Sequence, residues 1–141
     1  MATRTASRML LCTAVSTALI LVASSPALAL HSIGFKDNFF NSCDANVTID
    51  DALIGSPGKI ESWGGYRCPT GSTWAGEMTI KITRNGVKVK EVQKSINGSV
   101  SSDSVNATVA DDAGTQNWQA TLTLFRPGFA STIISTGVIP S

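Results

Sequence analysis

The side chains able to do chemistry in this 141-residue chain are few and poorly spaced for catalysis. A hydrolytic triad needs a base, and histidine supplies most of them. The one histidine, His31, stands at the extreme start of the segment left once a leader is removed, where chains usually fray. A lysine can serve a serine instead, yet Lys59, Lys81, Lys88 and Lys90 fall in turns or on the outward positions of extended segments. Carboxylate pairs for sugar hydrolysis reduce to Asp50-Asp51 and Asp111-Asp112, with Glu61, Glu77 and Glu91 scattered between them. Adjacent aspartates at turns cap and solvate backbone more often than they catalyse. Zinc wants a Cys/His cluster that the chain lacks. Calcium has Asp111-Asp112 with Asn117 nearby, but not the Asp-x-Asp-x-Asp-Gly spacing of a dedicated loop. No enzyme and no cofactor are therefore expected.

The cysteines divide by compartment. Arg4 and Arg8, the uncharged run Met9 to Val22, the break at Ser25-Pro26 and the small-x-small Ala27-Leu28-Ala29 follow the grammar of a signal peptide. That greasy run is shorter than the roughly 20 residues a membrane-spanning helix needs. Residues 1–29 are thus expected to be a cleaved leader carrying Cys12, and 30–141 a single exported domain. The domain keeps Cys43 and Cys68, which allow one intramolecular pairing, and outside the cytoplasm a disulfide is the expected state. Without Arg4 and Arg8 the remaining charge is nine basic against ten acidic side chains, near −1, with no basic patch for phosphates. Nucleic acid is not an expected partner. No later stretch is apolar and long enough to span a membrane.

Aromatic residues are the remaining source of specific contacts. Trp74 and Trp118 fall on inward positions, whereas Trp63 is out of phase with Tyr66 and Cys68, beside a bend expected at Gly64-Gly65. Phe39 and Phe40 are adjacent and point to opposite sides of an extended chain, which leaves one of them for the surface. Phe40, Trp63 and Tyr66 form the candidate contact patch. The segment Cys68-Pro69-Thr70-Gly71-Ser72 beside the disulfide is the one candidate for an inhibitory loop. Asn46, Asn97 and Asn106 head Asn-x-Ser/Thr sequons that count only in a eukaryotic host, with Asn106 the best placed outward.

The elements that must position these residues are strands. Trp74, Gly76, Met78, Ile80 and Ile82 alternate with Thr73, Glu77, Thr79, Lys81 and Thr83, the period-two pattern of a half-buried strand. Asn85-Gly86 then predicts a two-residue hairpin, because both central positions of a type I′ turn need positive φ. Val87 and Val89 are expected inward on the return strand, with Lys88 and Lys90 outward. Further strands are predicted around Val47, Ile49 and Leu53; from Ile60 to Cys68; over Val105, Ala107 and Val109; over Trp118, Ala120, Leu122 and Leu124; and from Ser131 to Ile139. Turn residues fill the gaps at 55–58, 111–114 and 126–128. Seven to eight short strands, each with one apolar face, predict an all-β antiparallel sandwich of two sheets stapled by one disulfide.

The stretch Asn106 to Thr115 resembles the turn before the penultimate strand of bacterial immunoglobulin-like domains. Trp118-Gln119-Ala120 resembles that family's aromatic-x-Cys step, with Ala120 standing where the second core cysteine would be. The resemblance implies an immunoglobulin-like sandwich without the family's inter-sheet bridge, so that Cys43–Cys68 would pin the N-terminal segment to an early strand. It carries no functional residue, since this fold hosts unrelated activities. The expected function is a secreted binding module for an extracellular protein or a cell-surface glycan, free or loosely held at the cell surface. The alternative is a secreted effector such as a hydrolase inhibitor or an antimicrobial toxin.

Overall fold

A computed structural model describes residues 30–51 and 58–141; the leader, Leu53 and the 55–57 part of the first expected turn lie outside the described residues. The described chain forms nine strands: β1 His31–Phe40, β2 Cys43–Asp50, β3 Lys59–Arg67, β4 Ala75–Arg84, β5 Val87–Asn97, β6 Ser102–Ala110, β7 Asn117–Phe125, β8 Thr132–Ser135 and β9 Ile139–Pro140. They make two antiparallel sheets, one ordered β1-β2-β3-β6 and the other β5-β4-β7-β8, with β9 also on β7. The β-sandwich expected from the alternating pattern is the fold observed. Among the described residues no helix is long and apolar enough to cross a membrane.

The core lies between the sheets and is built from the inward positions. Val47, Ile49 and Ile60 of the first sheet meet Met78, Ile80, Ile82, Trp118, Ala120 and Leu122 of the second, all at 1% exposure or less. Cys43 and Cys68 are joined, S–S 2.04 Å, at the ends of the neighbouring strands β2 and β3, where Asp44 pairs with Arg67. The bond therefore ties the first strands together within one sheet. A disulfide fits a compartment outside the reducing cytoplasm.

The Asn85-Gly86 turn forms as expected, with φ of 50° and 80° and Arg84 directly opposite Val87. Its return strand departs from expectation. Ile82 pairs with Lys90 and Thr83 with Lys88, so Val89 is the extra residue of a β-bulge. The bulge inverts the alternation, and Val92 and Ile96 turn toward the core. Val87 and Val89 lie on the overhanging hairpin and remain exposed, Val87 at 67%.

Three further expectations are corrected. No bend occurs at Gly64-Gly65: β3 runs unbroken between β2 and β6, paired at both glycines. The closing strand is split into β8 and β9. At Thr136 the N–H donates to the Ala120 carbonyl, but the Ala120 N–H returns to the Thr136 hydroxyl, so a side chain takes over a ladder bond. His31 is not frayed; it begins β1 and pairs with Asp50. That β1 is a ten-residue strand was not legible in its sequence.

Candidate functional site

Registers across the first sheet fix what its outer face presents. Residues directly opposite in antiparallel strands share a face. One row runs Ile33, Thr48, Trp63, Asn106 and the next Phe35, Asn46, Gly65, Ser104. A third begins Asp44, Arg67, Ser102. Phe35 is 60% exposed and Trp63 38%, with Ile33 exposed beside them. Because Gly65 has no side chain, the second row sinks between Phe35 and Ser104. A shallow groove of about 500 Å³ results, lined by Phe35, Asn46, Trp63, Gly65, Arg67 and Ser104. From strand spacing, Phe35 and Trp63 stand about 10 Å apart across the sheet and about 7 Å along it.

Gly64 and Gly65 serve opposite faces. A Cβ on Gly64 would reach 3.0 Å from the Leu122 side chain inside the sandwich. One on Gly65 would come to 2.7 Å from the Asp103 carbonyl, inside any normal contact. Close approach, not a turn, thus requires glycine at 65, where the neighbour is backbone, and favours it at 64, where Leu122 would have to give.

The three residues of the expected contact patch are not brought together. Trp63 faces outward on the groove. Tyr66 points inward at 4% exposure, its ring edge-on to Trp74 at 5.3 Å and its O–H donating to the Val100 carbonyl at 3.1 Å. Burial, then the Asp103 charge, pushes the Tyr66 phenol above its ordinary range. Phe40 lies off the groove, paired with Cys43 and packed on Phe129, because the register slips between Lys36 and Phe40 and Asn38 takes a positive φ of 51°. That irregularity also brings Phe39 and Phe40 to one pocket instead of opposite sides. Phe35 and Ile33 were missed. Their period-two spacing was the available signal, but polar Lys36 and Asp37 obscured it.

The remaining candidates are placed as follows. Asn46 and Asn106 are both exposed on the grooved face, while Asn97 ends β5 with its side-chain carbonyl accepting from the Ser99 N–H and hydroxyl. Asp112 pairs with Arg84 at 2.5 Å, and Asp111 accepts from the Ser141 hydroxyl at 3.0 Å. Among the described residues no group of three His, Cys, Asp or Glu side chains is placed to hold a metal ion. The loop after Cys68 closes as a β-turn, with the Ser72 N–H donating to the Pro69 carbonyl, so it is not the extended strand a protease cleft would take.

Comparison with protein-family models, curated proteins and solved structures gives no match for this chain.

Proposed function

We propose that this chain is a secreted binding module that takes a glycan on the outer face of its four-stranded sheet. The observation that carries the reading is Trp63, held outward beside Gly65 with Phe35 across the groove and Asn46, Arg67 and Asn106 in the flanking positions. Sugars present apolar C–H faces ringed by hydroxyls, and this face alternates ring surface with amide, guanidinium and hydroxyl groups in the same way. The face of an aromatic ring carries negative charge that attracts polarised C–H groups. Its apolar residues are separated by Thr48 and Asn46, which suits a ligand of mixed polarity better than the continuous apolar centre of a protein interface. The leader-like first 29 residues and the disulfide support export.

The sandwich is read as immunoglobulin-like. Supporting this, β3 pairs β6 in one sheet while β4, β7 and β8 are neighbours in the other, the adjacency of strands B with E and of C, F and G in that fold. On that alignment β1 and β2 supply one strand beyond the usual set, and Trp118 and Ala120 fall on strand F.

Intrinsic fluorescence tests the glycan reading, because Trp74 and Trp118 are buried and Trp63 alone of the three tryptophans meets solvent. Titration with soluble cell-wall glycan fragments and polysaccharides should shift or quench that emission, and Trp63→Ala should weaken binding about tenfold or more. Binding that survives Trp63→Ala unchanged, or a panel that leaves the emission untouched, rejects the site.

A further inference from the structure

We infer that a second site, with its own lining at the disulfide end of the sandwich, binds a small apolar carboxylic acid through Arg126. The inference does not depend on the glycan reading. The Arg126 guanidinium lies over two rings at once, 4.5 Å from the centroid of Phe40 and 4.8 Å from that of Phe129. Those rings stand edge to face at 90°, centroids 5.9 Å apart. Beneath them is a cavity of about 320 Å³, walled by Phe39, Trp74 and Leu124, with Ser131 and Thr132 at its edge. That volume is at the small end of the about 300–1,000 Å³ range of ligand pockets. It suits an aromatic or short branched body, not a long acyl chain.

The charge of the site sets the ligand's sign. No acidic residue lines the cavity, and among the described residues Arg126 has no carboxylate within ion-pair distance. Arg84, which also lies over a ring, at 5.9 Å from Trp118, is by contrast paired with Asp112. The two rings are perpendicular, so at most one can lie flat on the guanidinium, and among the described residues no hydrogen bond or ion pair engages the Arg126 N–H donors. Those donors match a carboxylate bidentately. The Arg126 carbonyl already accepts from the Phe129 N–H, closing the turn through Pro127 and Gly128, so the turn that carries both Arg126 and Phe129 is held before any ligand arrives. An apolar body in the Phe39–Trp74–Leu124 cavity and a carboxylate on the edge of Arg126 would satisfy both halves together.

The test uses the whole exported chain and two probes of equal shape, 3-phenylpropionate and 3-phenylpropanol. Followed by two-dimensional NMR, the acid should shift the aromatic signals of Phe39 and Trp74 and bind about tenfold more tightly than the alcohol. Raising the salt concentration should narrow that preference. Arg126→Gln should abolish it, leaving the acid to bind no more tightly than the alcohol. Equal affinity for acid and alcohol in the unaltered protein overturns the inference, as does a preference that persists in Arg126→Gln. If the variant does not fold, the acid-against-alcohol comparison on the parent decides alone. Shifts confined to Trp63 and Phe35 would place the acid on the groove and reject the second site.

Discussion

Lys94 reaches from β5 of one sheet to Asp103 on β6 of the other, Nζ to Oδ1 2.5 Å, and also donates to the Ser104 carbonyl at 3.0 Å. Lys94 stands opposite Met78, so this charge points inward from an edge strand and fastens the two sheets where the sandwich would otherwise gape. An inward charge also spoils the strand as a template for another chain's edge. The hydrogen bond from Lys94, with the Ser104 N–H and the lysine's charge, holds the Asp103 carboxyl below the ordinary range against the opposing effect of burial.

Asp103→Asn should accordingly be less stable than the parent at neutral pH, by up to about 1 kcal/mol because both partners are partly exposed. A carboxylate whose native pKa is depressed contributes stability above its unfolded pKa and loses it as pH falls through the native one. The gap between variant and parent should therefore narrow below about pH 4. Urea melts at pH 7 and pH 3 measure it; an unchanged gap would mean that Asp103 titrates like a free side chain.

The tryptophans should separate cleanly. Trp118 is 1% exposed and its indole N–H donates to the Ser141 hydroxyl at 2.8 Å, so Trp118→Ala should cost about 3–5 kcal/mol. Trp63→Ala should cost less than half of that and act on binding instead. Thermal melts of the two variants side by side decide it.

Gly65→Ala should destabilise by about 1–3 kcal/mol because its methyl meets backbone, and Gly64→Ala by less because only the Leu122 side chain has to move. Gly86→Val should cost about 1–2 kcal/mol for a different reason, the left-handed φ of 80° with open space around it. Relief of the Gly64 defect by Leu122→Ala, and no such relief for Gly86→Val, would separate crowding from backbone strain.

Replacing both Cys43 and Cys68 by Ser should lower stability by about 3–4 kcal/mol, the chain-entropy value for a crosslink spanning 25 positions. Because the bond joins strands already paired by backbone, the variant should keep its β-type circular dichroism when cold. A variant that is unfolded at every temperature would show that the bond holds the sheet, not merely its unfolded ensemble.

Addition of N-glycans at Asn46 and Asn106, by expression in a glycosylating host, should block glycan binding at the groove while sparing the Arg126 site. Asn97, at the end of β5, should have no such effect when it alone is modified. Binding assays on the mapped glycoforms check this.

How much of this was legible follows from what a period of two can encode. The faces of β4, β6 and β7 alternate apolar with polar residues, and each packs as read, because burial between two sheets selects one parity along the whole strand. The Asn85-Gly86 turn was equally legible, since few residue pairs accept two consecutive positive φ values. Strand β1 was not. Its inward residues include Gly34, where a Cβ would collide with the Ser135 carbonyl, and so its apolar signal is erased by the close crossing that holds it in place.

The sequence by itself determined the two-faced strands and, once Cys12 is set aside with the leader-like segment, the Cys43–Cys68 pairing, because these depend on local parity and residue counts. Parity also separated buried Trp74, Trp118 and Tyr66 from exposed Trp63, whereas the tertiary structure alone decided where the phenylalanines of β1 lie. Trp63 and Tyr66 are three positions apart on one strand, and opposite parity sends them to opposite faces; Phe40 leaves both through a slipped register with β2. Pairing across the sheet, which no local pattern carries, set Phe35 beside Gly65 and seated Arg126 on Phe40.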